Sequence, residues 1–183
     1  MKKNIGKALS LYPLPTLVIG AMVNGKPTWT LVAHAGIMGH DHVMVSLSQV
    51  HYINQGIKES NTLSINVVDE SWLDKADHMG CVSGNKVDKS ESFEYTIGEK
   101  GTPMINDAKL SIECEVEADY NTPGFDNFIC TIAGTYAEEA ILNEKGKINY
   151  HTFKPVLFEM PTYEYFRMGD VIGNCMKIEK KNA

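Results

Sequence analysis

Two long segments of alternating polar and apolar residues constrain the fold of this chain more than any other feature. The apolar side chains of residues 109–118 are Leu110, Ile112, Cys114 and Val116. Those of residues 127–137 are Phe128, Cys130, Ile132 and Gly134. A period of two is that of a β-strand with one buried face. Because only the turn-rich residues 121–124 separate the two segments, we expect a pair of long antiparallel strands.

Shorter strand patterns surround this pair. Residues 16–23 and 27–33 are rich in β-formers and flank Asn24-Gly25, a dipeptide typical of a two-residue hairpin turn. Residues 43–47 predict a further strand, and the alternation in residues 62–68 predicts a half-buried one.

Helical spacing is confined to two short stretches. One contains Ile53 and Ile57, and the other covers residues 71–79, with Gly80 as its expected end. Several strands joined by turns, with only short helices between them, are typical of an antiparallel β-barrel. We therefore expect a mainly β fold with peripheral helices (a β-barrel of the α+β kind), formed by one domain over residues 1–183.

One nucleotide-binding motif is present only in outline. Gly20, Gly25 and Lys26 have the spacing of a phosphate-binding P-loop, but the next residue is Pro27, which lacks the hydroxyl that ligates magnesium. Both flanks predict strands around a turn, whereas a P-loop needs a strand and then a helix. The hairpin is the better interpretation. The chain also contains no G-x-G-x-x-G stretch, so a Rossmann-type nucleotide site is not expected.

Charge and composition exclude several classes of function. The net charge of −6, with 17 Lys and Arg scattered along the chain, disfavours a nucleic-acid-binding surface. No run approaches the roughly 18 apolar residues that cross a bilayer, so no membrane association is expected. The four cysteines lie far apart without C-x-x-C spacing, and a reducing cytoplasmic compartment fits them best.

Two separated segments carry the residues that bind a phosphorylated, flat aromatic cofactor. Residues 27–54 combine hydroxyl groups, a loop of small residues and the start of a helix. Residues 80–90 form a glycine-centred turn with two lysines. Small residues let the backbone approach a ring, while a helix N-terminus and an ammonium group attract a phosphate.

The motifs in these segments resemble those of the flavin reductase family, whose fold is the FMN-binding split barrel and which includes flavoredoxins. In that family a strand with Thr at the Thr30 position leads into an Ala-Gly loop. A V-S-L strand and a Tyr then lead into a helix, as Val45-Ser46-Leu47 and Tyr52 do here. The family turn S-G-x-x-x-D-K matches Ser83-Gly84 and Asp88-Lys89. The resemblance implies bound FMN, NAD(P)H as electron donor, and a homodimer with flavin near the subunit interface.

The resemblance also implies which residues bind the cofactor. Those expected at the flavin ring are Thr28, Thr30, Leu31, Val32, Ala33, His34, Ala35 and Tyr165. Those expected near the phosphate are Ser46, Leu47, Ser48, Tyr52, Ile53, Ser83 and Lys89. An ordinary edge strand, a solvated lysine and aromatic packing are the alternatives for the threonines, Lys89 and Tyr165. The cofactor itself carries the redox chemistry, so we expect no acid–base catalyst among these residues.

The chain departs from the family pattern at several of these positions. His34 falls where relatives commonly carry tryptophan. Ser48 and Ile53 stand where relatives often have Arg and Thr, both of which suit a phosphate. Relatives often have Arg at the Asn85 position, so the cationic anchor falls on Lys89.

Three nearby histidines also suggest a metal site. His40 and His42 point to opposite faces if the segment is extended, and no cysteine completes a zinc-like spacing with His34. A surface turn is the better interpretation, and we expect no metal.

The residues leave three functions open. The first is an FMN-dependent NAD(P)H oxidoreductase that passes electrons to an acceptor. The second is a flavoredoxin-type electron carrier that exchanges electrons with a partner protein without direct NAD(P)H turnover. The third is a split-barrel module that binds a planar ligand without catalysis. The sequence does not identify the physiological acceptor.

Overall fold

A computed structural model describes residues 1–177 of the chain. Its strands are β1 (Leu14–Pro15), β2 (Leu17–Val23), β3 (Lys26–Val32), β4 (Ala35–Ile37), β5 (His42–Ser48), β6 (Thr62–Val67), β7 (Tyr95–Ile97), β8 (Pro103–Ile105), β9 (Leu110–Thr122), β10 (Phe125–Ala137), β11 (Leu157–Glu159) and β12 (Glu164–Phe166). Its helices are α1 (Ile53–Ser60) and α2 (Leu73–Cys81), with a 3₁₀ turn at Glu139–Ile141. The expectation of a mainly β fold with peripheral helices is confirmed.

A seven-stranded antiparallel sheet forms the body of the molecule. Its strand order is β3-β2-β6-β9-β10-β5-β4, and two small sheets, β1-β11-β12 and β7-β8, pack beside it. The two long strands predicted from the alternating segments are β9 and β10, which pair along almost their whole length. Register shifts at Ile129/Cys130 and Ile132/Gly134 bend this pair. Such bulges increase local twist, so the sheet can curl around one apolar core.

The hairpin between β2 and β3 has the predicted turn. Asn24 and Gly25 both take positive φ angles, 51° and 76°. Two such residues in succession are what a two-residue turn of the I′ type requires, and glycine adopts this conformation without strain. The pairing of Val23 with Lys26 closes the turn, so residues 20–26 form a hairpin and not a P-loop.

Strand β6 corrects one expectation. Its alternation predicted a half-buried strand, but both faces are covered. Ser64 and Asn66, on the face opposite the main core, are fully buried. Asn66 donates to the Val18 carbonyl at 3.0 Å and accepts from the Ile105 amide at 2.9 Å. A second layer that contains β8 covers this polar face, and internal hydrogen bonds satisfy it.

Helix α1 packs on β2 through Ile53, Gly56 and Ile57, as the spacing of its isoleucines predicted. The prediction that the second helix ends at Gly80 was wrong, because helix α2 continues through Gly80 to Cys81. A Cβ atom on Gly80 would lie 3.0 Å from Leu31 Cδ2. The glycine therefore allows α2 to approach β3 closely instead of ending the helix.

A second apolar cluster attaches α2 to the outer side of the sheet. Trp29 on β3 and Trp72 before α2 both meet Phe93 edge-on, with ring centroids 5.5 and 5.8 Å apart. Edge-to-face aromatic pairs in this distance range are favourable beyond their buried area. In the part of the chain that the structure describes, no helix is both long and apolar enough to cross a membrane.

The close approach of α1 to β2 generates a testable prediction. In Gly56→Ala the new methyl group overlaps the Met22 carbonyl oxygen, a backbone atom that cannot rotate away. Alanine normally favours a helix over glycine by about 1 kcal/mol, but overpacking costs about 1–3 kcal/mol. We expect a lower midpoint of urea unfolding for this variant. Gly169→Ala, where a Cβ atom meets nothing within 4 Å, is the matched control; equal midpoints for the two variants would contradict the packing.

Candidate functional site

A cleft of about 220 Å³ lies between β3, the start of α1 and the turn that follows α2. Its lining residues are Thr28, Trp29, Thr30, Val50, His51, Tyr52, Ile53, Met79, Gly80, Cys81, Val82, Ser83, Gly84 and Lys89. We call it the first cleft. The fold thus brings together six of the residues expected from the sequence, from segments up to sixty positions apart: Thr28, Thr30, Tyr52, Ile53, Ser83 and Lys89.

Lys89 is a buried cation at the base of this cleft. Only 4% of the residue is exposed, and its ammonium group donates to the Trp29 carbonyl at 3.0 Å and the Met79 carbonyl at 2.9 Å. Burial lowers the pKa of this ammonium group from its ordinary value. An ammonium group has three donors, so one hydrogen remains after these two bonds. The alternative of a solvated surface lysine is wrong, and Lys89 joins β3 to α2 as well as lining the cleft.

His51 shows that the polar lining of the first cleft is incomplete. Its Nδ1 atom is buried and has no hydrogen-bond partner among the described residues. Burial lowers the pKa of this imidazole, and the positive charge of Lys89 lowers it further. Buried polar atoms in native proteins are nearly always paired. An unpaired ring nitrogen on the wall of a cleft fits a site that receives a polar ligand.

The helix start and the glycine turn close the opposite side of this cleft. Helix α1 begins at Ile53, and its first amides carry the positive end of the helix dipole. The Asn54 amide already donates to the His51 carbonyl at 3.2 Å. Asn85 Nδ2 donates to the Val50 carbonyl at 3.0 Å and ties the turn to the helix entry. A Cβ atom on Gly84 would lie 2.9 Å from Tyr52 Cβ, so only glycine lets the turn approach this closely. The cleft therefore combines a cation, a histidine and helix-start amides, an arrangement that suits an anion.

A second cleft of about 300 Å³ adjoins the first. Its lining residues are Thr16, Leu31, Val32, Ala33, Asp77, Gly80, Cys81, Phe158, Tyr163 and Tyr165. Gly80 and Cys81 line both clefts. Four residues expected at a flavin ring meet here: Leu31, Val32, Ala33 and Tyr165.

The second cleft has aromatic walls and one polar pair. Tyr165 donates from its hydroxyl to Asp77 Oδ1 at 2.7 Å. Burial raises the pKa of the Tyr165 phenol, and the bond to Asp77 raises it further, so the phenol stays protonated. Phe158 and Tyr165 lie with ring centroids 5.5 Å apart. This surface suits a flat, largely apolar body.

The remaining expected residues line neither cleft. Leu47, which is 1% exposed, belongs to the main apolar core, and Ala35 packs against that core. The Ser46 hydroxyl donates to Asn127 Oδ1 on β10, and the Ser48 carbonyl accepts from Asn54 Nδ2 at 3.0 Å. Strand β5 is paired on both sides, with β10 and β4. Four residues join the end of β5 to the start of α1, which lines the first cleft.

His34 and Ala35 lie at the corner between β3 and β4. The structure pairs His34 Nε2 with the Tyr12 hydroxyl at 2.9 Å. The His34 ring also lies 6.0 Å from that of Phe125, between centroids. The loop histidine is thus held by aromatic neighbours outside both clefts.

Twelve lining residues are outside the set expected from the sequence, and His51 and Cys81 are two of them. His51 directly precedes Tyr52 in the strand-to-helix passage, and that position was the available signal. Cys81 was missed because helix α2 was expected to end at Gly80, which would have removed Cys81 from the helix face above the clefts.

Two of the three histidines considered for a metal site, His34 and His42, have other partners. His42 Nδ1 lies 2.6 Å from Asp41 Oδ1, and its Nε2 lies 3.3 Å from Glu117 Oε2. The hydrogen bond to Asp41 raises the pKa of His42. Within residues 1–177, no group of three or more His, Cys, Asp or Glu side chains is placed to hold a metal ion.

Comparisons with known proteins show what this chain is similar to. The model of the "Flavin reductase like domain" family matches residues 9–159. Flavoredoxin from Methanosarcina acetivorans is 32% identical, with a TM-score of 0.93 over 100% of both chains. An FMN-binding protein from Thermus thermophilus is 19% identical, covers 95% of this chain and 100% of its own, and has a TM-score of 0.82.

Similarity at the level of the fold extends further. An NADH:FAD oxidoreductase of Streptomyces globisporus C-1027 is 15% identical, with a TM-score of 0.69 over 87% of this chain and 88% of its own. No curated protein sequence matches the chain. The structural matches confirm the split-barrel fold that the motifs implied.

The two bonds of Lys89 generate a prediction about stability. Lys89→Met removes the donor shared by the Trp29 and Met79 carbonyls and leaves both acceptors unpaired. An unsatisfied buried acceptor costs about 1–3 kcal/mol, so we expect the free energy of unfolding in urea to fall by about that amount. Lys86→Met removes the same charge from an exposed residue of the same turn and should change the free energy by less than about 0.5 kcal/mol. Equal losses in the two variants would show that the bridge does not form.

The cysteines generate a second prediction. Cys81 and Cys175 are exposed, whereas Cys114 and Cys130 are buried. Burial raises the pKa of Cys130 to about 12 and also raises that of Cys114, so neither supplies a reactive thiolate. We expect two fast-reacting thiols per native chain with Ellman's reagent, and one in Cys81→Ser. Three or four fast thiols in the native protein would contradict the burial of β9 and β10.

Proposed function

Because this chain belongs to the flavin reductase like domain family, we propose that it binds FMN across the two adjoining clefts and works as an NAD(P)H-dependent flavin oxidoreductase. The observation that carries the proposal is the buried, unpaired Nδ1 of His51, a residue that lines the same cleft as the buried Lys89. A buried cation favours an anionic partner and an unpaired ring nitrogen favours a polar one, and the flavin phosphate can serve both.

In this proposal the first cleft holds the phosphate and the ribityl chain. Lys89 contributes its third hydrogen, and the start of α1 contributes the amides near Ile53. Ile53 can offer only its backbone where relatives often have threonine. The hydroxyls of Thr28, Thr30 and Ser83 line the same cleft and suit the hydroxyls of the ribityl chain. Tyr52 and Gly84 keep this part of the site narrow.

The flavin ring lies, in the same proposal, along the end of β3 towards the second cleft. Residues 31–33 present backbone and aliphatic side chains, and Tyr165 presents an aromatic face fixed by Asp77. A bound flavin supplies two-electron chemistry with nicotinamides and one-electron chemistry with protein partners. The residues named here position the ring and exclude water, and none is assigned as an acid–base catalyst.

An electron carrier is the second candidate. The full-length similarity to a flavoredoxin at 32% identity favours it. In this version FMN remains bound and electrons pass to a partner protein without direct NAD(P)H turnover. Both versions use the same cofactor site, and they differ in whether a nicotinamide reduces the flavin directly. A non-catalytic ligand-binding module is the third and weakest version, because nothing in the clefts favours it over flavin.

We further propose a homodimer in the cytoplasm. Ile37 and Met38, next to the corner that carries His34, are 87% and 55% exposed, and apolar side chains of this size are commonly covered by a partner. All four cysteines are free thiols, as a reducing compartment requires. Nucleic acid and membranes are not proposed as partners.

The proposal is tested by reconstitution and reduction. The purified chain is incubated with excess FMN and passed over a sizing column, and we expect it to elute yellow. Anaerobic mixing with NADH or NADPH should then bleach the flavin band within seconds. A yellow protein that keeps its colour supports the carrier instead, a Soret band supports a haem-binding module, and a colourless protein refutes flavin binding.

Two variants locate the site. In Ser83→Asp a carboxylate enters the first cleft. At a separation of about 8 Å and an effective dielectric of about 20, this carboxylate and one negative charge of the phosphate repel each other by about 2 kcal/mol. We expect FMN affinity to fall at least about tenfold, with little change for riboflavin, which lacks the phosphate. Ser10→Asp adds the same charge to an exposed serine and is the control. Saturating FMN should also slow the reaction of Cys81 with Ellman's reagent. If Ser83→Asp and Ser10→Asp bind FMN with equal affinity, the phosphate binds elsewhere.

A further inference from the structure

The first cleft holds an unusual electrostatic combination. Lys89 is buried, and His51 lies on the same wall with its Nδ1 unpaired. Of the described residues that line this cleft, none is Asp or Glu. No carboxylate on the wall therefore balances the charge of Lys89.

The other titratable and charged groups near His51 do not change this picture. On the cleft wall they are Tyr52, from the helix entry, and Cys81, from the end of α2. Beyond the rim, Lys86 is exposed, and Lys26 is paired with Asp88 at 2.7 Å. Two acids lie near the rim. Asp88 is the one paired with Lys26, and Asp77, 3.9 Å from Cys81 Sγ, accepts from the Tyr165 hydroxyl at 2.7 Å.

We propose that His51 is the titrating phosphate ligand of this site: it is neutral in the free protein and takes up one proton from solvent when the dianionic phosphate of a flavin nucleotide enters. This inference rests on the proposed function, since it needs the flavin phosphate to occupy the first cleft. No covalent bond forms or breaks. The proton adds to the imidazole, which then donates charge-assisted hydrogen bonds to phosphate oxygens.

Charge balance explains the direction of the change. A His51 imidazolium would be partly buried in the cleft and would share it with the Lys89 ammonium group, and both conditions disfavour its charged form. The lowered pKa of His51, caused by burial and then by Lys89, agrees with a neutral ring. A phosphomonoester has its second pKa near about 6 and is a dianion above pH 7. Its two negative charges match one ammonium and one imidazolium group.

The sign of the pH dependence follows from this linkage. Because the bound state carries one more proton, FMN affinity falls as pH rises above 7, by up to about tenfold per pH unit until the pKa of the bound imidazole is passed. Riboflavin has no phosphate, so its affinity should not change over the same range. The preference of the site for FMN over riboflavin is therefore strongest near pH 7 and decreases as the pH rises.

Isothermal titration calorimetry tests the proposal directly. FMN is titrated into the full chain at pH 8 in two buffers of different ionisation enthalpy, which gives the number of protons taken up. We expect an uptake of up to one proton per FMN bound and no uptake with riboflavin. His51→Gln should abolish the uptake and lower FMN affinity about tenfold or more, while riboflavin affinity stays the same. His40→Gln, at an exposed loop position, is the matched control and should behave like the native protein.

The outcomes separate the two levels of proposal. If neither FMN nor riboflavin binds, the proposed function fails and this inference fails with it. If FMN binds without proton uptake, only the inference is overturned. Uptake that persists in His51→Gln would assign the proton to Lys89 and also overturn it. His51→Asn is a second variant. The midpoints of urea unfolding of His51→Gln and His51→Asn show whether any loss of FMN affinity results from unfolding.

Discussion

The buried ammonium group of Lys89 connects the elements on which the rest of the site depends. Strand β3 is an edge strand of the seven-stranded sheet, and an exposed edge leaves backbone groups without partners. Lys89 donates to the Trp29 carbonyl on this edge and to the Met79 carbonyl on α2. One side chain therefore holds the helix and its following turn against the strand. A charge is tolerated at this depth because both bonds solvate it.

The same arrangement gives the two clefts different chemistry. The first cleft has Lys89, His51 and the start of α1, and none of its described lining residues is acidic. The second cleft has aromatic walls with Asp77, and none of its described lining residues is Lys or Arg. A ligand with an anionic end and a flat aromatic end can therefore lie across them in only one direction. Gly80 makes this contact possible, since it lets α2 rest on Leu31.

The strands and the hairpin turn could be predicted because their signals are local. Alternation located β9 and β10, and Asn24-Gly25 located the turn between β2 and β3. The half-buried prediction for β6 was wrong because burial of its polar face by β8 is a long-range contact. The end of α2 was misplaced for a similar reason. Gly80 serves a packing contact with β3, and a helix-end pattern cannot reveal that contact.

The sequence by itself determined the mainly β architecture, the family resemblance and ten of the 22 residues that line the two clefts. Those features depend on residue type and short-range spacing, which a chain carries before it folds. Only the tertiary structure decided that Lys89 is buried, that Ser46 and Leu47 serve the sheet, and that His51 keeps an unpaired nitrogen. Burial and the pKa shifts that follow from it depend on neighbours brought together from distant segments, so they exist only once the sheet has curled and α2 has packed against its edge.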